Sequence, residues 1–424
     1  MTELNRPPLR YRIPTFTQMM LTIIEYAWAV LVVLDGNSVY HASAIKDYHL
    51  LELSLLMTLL LLMTVMYVYR IRPAWDQLLV AVGAMIYVVI YLSVMQSQMA
   101  VTNYLYLMVG GLPSLYLLFS ILHSRGMLLQ LLRKIFDVVL VLAVISLYYW
   151  LFGVTLRFFP PNCSLPIKWG FLRQVVGYNG IHYAIQADTT FFPDQWVYRN
   201  SSLFAEAPMF NLWLDISLAG ELFLKPRASK LRVTVLAITV VTTMSVTGIM
   251  FLALCVVLHV CLHYRQMERR QKMMVLAAGF FLLPVALSVM FSILILKSDT
   301  ESYAMRLYDY VAGVRLWLDH PLFGSGYGDL TPLMKYAYSP NGVMGFSNSL
   351  TAVLGTGGLW MALVFYVPHL AMLSPRNTGD KKLVCFGVCD LFLFCTTLYY
   401  ARYIGTLLIV FSAVVVYQNW KKER

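Results

Sequence analysis

The residues able to do chemistry fall in four stretches. One is Tyr198-Arg199-Asn200-Ser201-Ser202-Leu203-Phe204-Ala205-Glu206-Ala207-Pro208, with a cation and a carboxylate ahead of a proline suited to a helix's first turn. A second opens with Arg306-Leu307-Tyr308-Asp309-Tyr310, passes Arg315, Trp317 and Asp319, and reaches His320-Pro321-Leu322-Phe323-Gly324-Ser325-Gly326-Tyr327-Gly328. Ser347-Asn348 and Tyr399-Tyr400-Ala401-Arg402-Tyr403 complete the set. Alternate glycines free the backbone for a tight turn, either a plain flexible one or one whose N–H groups meet an anion. Arg306 and Arg315 lie about 180° apart around a straight helix, so both cannot aim at one phosphate. Arg315 can pair with Asp319, and Arg306 with Asp309, by ordinary helical spacing. Arg402 either snorkels to lipid headgroups or binds an anion.

The elements that must position these residues are set by composition. Of 424 residues, 59% are hydrophobic and only 12% charged, with mean hydropathy +0.68. A soluble domain of this size carries about a quarter charged residues, so water is not the main solvent. Crossing about 30 Å of hydrocarbon takes about 20 apolar residues. Runs of that kind lie near 15–34, 50–69, 77–95, 104–122, 135–153, 208–224, 233–245, 248–263, 273–296, 348–370, 383–399 and 404–420, about twelve in all. Glu25, Asp215 and Asp390 fall inside these runs, where a carboxylate is protonated, paired within the bundle, or part of a proton relay. The first run, behind Arg6, Arg10 and Arg12, has no cleavage pattern of small residues and reads as a retained span. Five of the six cysteines are in apolar stretches, which leaves no disulfide framework, and no paired spacing indicates a metal site.

Charge asymmetry orients the spans. With twelve, the short connections on one side hold most of the 32 basic residues, including Arg70, Arg125, Lys134, Lys225, Arg232, Arg269, Lys381 and Lys422. The short connections opposite hold Lys46 and Arg402. Positive short loops mark the cytoplasm, so both termini are expected there, and the net charge of +11 is a topology signal. Nucleic acid is not an expected partner. The expected fold is an all-α polytopic membrane protein, one membrane domain with two long extracytoplasmic loops at 154–207 and 297–347. Loops of that length are usually functional. Within the second, 306–319 reads as an interfacial helix with Leu307, Val311, Val314 and Leu318 on its apolar side.

The order of these features resembles a known family. A glutamate and proline close one outer loop, and Thr243-Met244-Ser245-Val246-Thr247-Gly248 follows between two spans. Next come an arginine-led helix ending in Pro321-Leu322-Phe323-Gly324-Ser325-Gly326, then Ser347-Asn348-Ser349-Leu350 and Gly357-Gly358-Leu359. The pattern is similar to the O-antigen polymerase and O-antigen ligase superfamily (Wzy-type and WaaL-type proteins) over roughly 195–370. Three departures stand out: Val246-Thr247 where the family often has an arginine, Ala207 between glutamate and proline, and Asn348 where ligases carry a histidine.

The resemblance implies a GT-C-like membrane fold in the bacterial cytoplasmic membrane. It also implies a metal-independent, cofactor-free glycosyltransferase with an undecaprenyl-diphosphate-linked glycan as donor. A repeat-unit polymerase is expected, making O-antigen, capsule or exopolysaccharide, with a chain-length regulator and a flippase as partners beside the bilayer. A ligase to a lipid or protein acceptor is the alternative, and a secondary transporter the rival class. Arg306 and Arg199 are then expected to bind the diphosphate, since arginine's planar fork suits phosphate. Glu206 is expected to position or deprotonate the acceptor. Arg315, Arg402, His320, Gly324, Gly326 and Asn348 are expected to line the substrate site.

Overall fold

The computed structural model describes residues 15–95, 97, 100–188, 197–270, 272–273, 301–336 and 346–423. Its helices, in chain order, are α1 (Thr15–Asp35), α2 (Leu50–Tyr69), α3 (Trp75–Val94), α4 (Val101–Ser124), α5 (Gln130–Thr155), α6 (Ala207–Ala219), α7 (Lys230–Thr242), α8 (Val246–His263), α9 (Glu301–Asp319), α10 (Ser349–Ala371), α11 (Lys381–Thr396) and α12 (Tyr403–Glu423). Among the described residues eight helices are long and apolar enough to cross a membrane: α1 to α5, α8 (with its terminal turn), α10 and α12. The chain is a multi-pass membrane protein. The expected spans at 208–224, 233–245 and 383–399 are helical but shorter, and the one at 273–296 lies outside the described residues.

The lipid-facing belt is legible in exposure. Leu56, Met63, Leu79, Val141, Val256, Val257 and Leu363 all point outward, where an apolar solvent would cover them. The centre is α6, whose side chains from Met209 to Ala219 are all buried, as expected of a helix apolar on every side. It packs against α5, α7, α8 and α11. At its far end a π-helical turn, Gly220–Leu224, brings Glu221 against Lys225 at 2.5 Å and Arg232 at 3.0 Å. A basic, ion-paired end and a Glu206 end are thus set at opposite ends of one helix.

The all-α expectation needs correcting. The first long loop folds into a three-stranded antiparallel sheet, β1 (Cys163–Trp169), β2 (Phe171–Tyr178) and β3 (His182–Ala184), with a short ladder of β4 (Ala187–Asp188) and β5 (Val197–Tyr198). Gly170, at φ +73°, turns the β1–β2 hairpin, whose register pairs Trp169 with Phe171 and Ile167 with Arg173. The sheet rests on the 36–44 loop through Lys168 N–H to the Ala42 carbonyl (2.7 Å) and Ala44 N–H to the Pro166 carbonyl (2.9 Å). Val39, Ala42, Ile167, Val175, Tyr183 and Ala205 form its own small core. Backbone that a helix would have satisfied internally is here satisfied by the ladder.

Second, α9 packs along α10 through its Asp309, Ala312, Gly313 and Leu316 face, leaving Val311, Val314 and Leu318 exposed. Helix α10 breaks at Gly358, whose φ of 60° only glycine adopts cheaply.

The buried acids are partnered. Glu25 lies 3.9 Å from Lys134 and accepts from Gln130, while Asp215 accepts from Asn211 at 2.6 Å. Asp390 sits 3.3 Å from His369 and accepts from Tyr399 at 3.0 Å. Lys134, at the start of α5, reaches inward to Glu25, which is thus paired within the bundle.

Candidate active site

Glu206 is the N-cap residue of α6, extended at φ −158°, with Pro208 in the helix's first turn. Its carboxylate does not cap the helix. It lies beside the Trp169 indole at the hairpin's tip, which favours its charged form, as do Arg199, Arg306 and Arg173. Burial pushes its pKa above the ordinary carboxylate range; the Trp169 indole and the three guanidinium groups pull against that shift. The supporting backbone is tied down on both sides. Arg173 Nη2 donates to the Ala205 carbonyl at 3.2 Å, and Ala207 N–H donates to Gln186 Oε1 at 3.0 Å.

Arg199 is held by its backbone N–H to the Gln186 carbonyl (2.8 Å) and by its Nε to the Thr243 carbonyl (2.8 Å). Asn200, buried beside it, donates its amide to Thr242 Oγ1 at 3.0 Å and to Ser146 Oγ at 3.2 Å. Arg306, exposed on α9, reaches Thr247 Oγ1 at 3.5 Å. Residues 243–247 thus hold arginines from two distant parts of the chain, both within electrostatic reach of one carboxylate.

Behind Arg306, Asp309 accepts from Ser347 Oγ at 2.7 Å. Burial raises the Asp309 pKa to about 6 against the pull of Ser347 and Arg306. Asn348 is the N-cap of α10: its Oδ1 accepts from Thr351 N–H and Thr351 Oγ1, both at 2.9 Å. Its amide nitrogen is buried and finds no partner among the described residues.

Other expected site residues lie elsewhere. A helix rises 1.5 Å per residue, so Arg315 stands about 13 Å and His320 about 20 Å along α9 from Arg306. Arg315 is exposed and does not pair with Asp319, which instead meets Tyr336 and Lys335. His320 contributes its carbonyl to Gly324 N–H at 3.0 Å. The N–H groups of Ser325 and Gly326 donate to the Gly355 (3.2 Å) and Thr356 (2.8 Å) carbonyls. Gly324 and Gly326 therefore close the fold onto the α10 break, with their N–H groups already satisfied, and do not form an anion cradle. Arg402 turns inward, away from headgroups, to His41 and to the buried Asp35. His41 stands 3.7 Å from Asp35, and burial beside Arg402 lowers the His41 pKa to about 3.

Trp169 and Arg173 escaped the sequence reading. The only signal was aromatic and apolar alternation across Gly170, weakened by Pro166, a residue that strands tolerate at an edge. Strand β1 is that edge.

None of the curated proteins compared with the chain matches it. Residues 233–367 match the family model Wzy_C, described as O-Antigen ligase. That segment carries residues 243–247, Arg306, Asp309 and Asn348, and stops short of Arg199 and Glu206. Members of the family are glycosyltransferase-like enzymes of lipid-linked glycans. On this match, made over the same elements that gather the arginines, about a third of the chain is similar to the O-antigen ligase family.

Proposed function

We propose that this protein is a repeat-unit polymerase that joins polyprenyl-diphosphate-linked oligosaccharides at the outer face of the bacterial cytoplasmic membrane. The observation that carries the reading is the carboxylate of Glu206 at the mouth of the central helix, within electrostatic reach of Arg199, Arg306 and Arg173. In the transfer, an acceptor hydroxyl oxygen attacks the anomeric carbon of the donor glycan. The bond from that carbon to the diphosphate oxygen breaks, and its electron pair leaves with the lipid diphosphate. Arg199 and Arg306 offset the negative charge that grows there, the kind of fixed donor that supplies much of an enzyme's rate. Glu206 takes the acceptor proton, a task favoured by a raised pKa. The donor linkage is already activated, so no further energy source is required. Both termini and the Glu221 end of α6 are then cytoplasmic.

Asn348 favours polymerase over ligase. Where ligases carry a histidine, this residue holds the start of α10 through its side-chain carbonyl. Purified protein in liposomes, given only polyprenyl-diphosphate-linked repeat units, is expected to yield a ladder of polymers and free polyprenyl diphosphate. Transfer seen only after a lipid or protein acceptor is added would make it a ligase, and no release of polyprenyl diphosphate would end both readings.

A further inference from the structure

We propose that the inner face of the β1–β2 hairpin is a glycan subsite in which Phe171 stacks on a pyranose unit of the acceptor, an assignment that rests on the transferase reading above. Side chains alternate across a sheet, and the register puts Ile167, Trp169, Phe171, Arg173 and Val175 on one face. Ile167 and Val175 are buried against the 36–44 loop and Ala205, so this face looks toward the bundle. Trp169 and Arg173 both favour the charged form of Glu206, and Arg173 Nη2 donates to the carbonyl of the preceding residue, Ala205, at 3.2 Å. Phe171, the cross-strand partner of Trp169, is 59% exposed although it shares that face. Its ring lies 5.5 Å from the Arg173 guanidinium carbon.

A large aromatic side chain left open to solvent beside a guanidinium and near a half-buried carboxylate has the makings of a sugar platform. The C–H face of a pyranose packs on the flat ring, and the hydroxyls at its rim meet the charged neighbours. A lipid tail fits this position poorly, because the groups flanking the ring are charged. Leu172, 68% exposed, projects from the opposite face and is the residue placed to meet other surroundings. Trp169 acts through Glu206 as a positioning residue, and Phe171 selects the acceptor.

The test uses the full chain in detergent and a phosphate-free oligosaccharide of one repeat unit, released from its lipid carrier, with binding read by titration calorimetry. Phe171→Ala and Phe171→Leu are expected to weaken Kd by about tenfold, the scale of one aromatic contact. Phe171→Tyr, which keeps the ring, and Leu172→Ala, on the other face, are expected to bind as wild type does. Wild-type affinity in Phe171→Leu would overturn the proposal, since apolar bulk without a flat ring would then suffice, as it would against a lipid leaflet. Wild-type protein that does not bind the oligosaccharide would overturn it too. The two assignments fail separately: normal polymer in Arg306→Ala and Arg199→Ala cells removes the diphosphate site and leaves this binding result standing.

Discussion

Arg199 and Arg306, from opposite sides of the α6–α8 region in sequence, are anchored to one short turn: Arg199 Nε donates to the Thr243 carbonyl at 2.8 Å and Arg306 reaches Thr247 Oγ1 at 3.5 Å. A guanidinium held before substrate arrives needs little reorganisation when charge develops beside it. Both arginines lower the cost of ionising Glu206, so the three residues form one electrostatic unit. Replacing any one of them changes the state of the other two.

Glu206 carries the first prediction. Burial raises its pKa, so a proton-accepting carboxylate is lost at a higher pH than for an ordinary glutamate. The rate of polyprenyl diphosphate release is expected to fall as pH drops through that raised value. Glu206→Gln keeps a side-chain oxygen beside Trp169 but cannot take a proton, and is expected to lower kcat about a hundredfold or more and to erase the acidic limb. A glutamine variant with the wild-type pH profile would remove the base.

Asp309 predicts a stability effect. Its pKa rises from 3.8 to about 6 in the folded chain because it is buried between α9 and α10. Folding therefore favours the protonated carboxyl, and this contribution is full below about pH 4 and lost as pH rises through about 6. The thermal midpoint of the wild type is expected to decline more across that window than that of Asp309→Asn, which retains an acceptor for Ser347. Parallel curves would show that the carboxyl does not titrate there.

Gly324 separates a packing role from a ligand role. At φ +65°, a Cβ would stand 2.3 Å from the Thr356 carbonyl oxygen. Gly324→Ala is expected to cost about 1–2 kcal/mol for the left-handed backbone, before the clash is counted. Loss of membrane-inserted protein on an immunoblot is the expected readout. Normal protein level with abolished transfer would restore the anion-binding reading of the turn.

Arg402 predicts a second stability effect. Asp35 is 1% exposed, and its carboxylate accepts from Tyr403 N–H at 3.0 Å beside His41 and Arg402. Removing the cation leaves a buried charge uncompensated, a change worth about 3–5 kcal/mol. The thermal midpoint of Arg402→Ala is expected to drop accordingly, and an unchanged midpoint would show that Asp35 is neutral without it.

Much of the scaffold was legible because its signals are local. Apolar runs gave the long helices, and Pro208 marked the start of α6, which put Glu206 at the helix's mouth. Arg199, Glu206 and Arg306 could be singled out by charge type and family pattern, but their meeting depends on tertiary packing at residues 243–247. The hairpin was hidden because β1 is short and contains Pro166, and its two contributions, Trp169 and Arg173, face Glu206 only once the sheet docks on the 36–44 loop. Helical spacing misassigned Arg315, because Asp319 found Tyr336 and Lys335 beyond the end of α9. Alternate glycines left both a plain turn and an anion-binding turn legible, and only packing decides, because His320 and the carbonyls beside the α10 break take the N–H groups of residues 324–326.

The most direct test of the central claim is the lipid-linked product profile of cells carrying Arg306→Ala or Arg199→Ala. In the proposed mechanism each variant lacks a charge-assisted contact to the leaving diphosphate, which is expected to raise the barrier by about 3 kcal/mol, or about a hundredfold in rate. Lysine at either position is expected to rescue poorly, because a point charge lacks the bidentate fork. The account predicts single repeat units accumulating on the polyprenyl carrier, no long polymer, and normal amounts of protein in the membrane. Normal-length polymer from both alanine variants would contradict it.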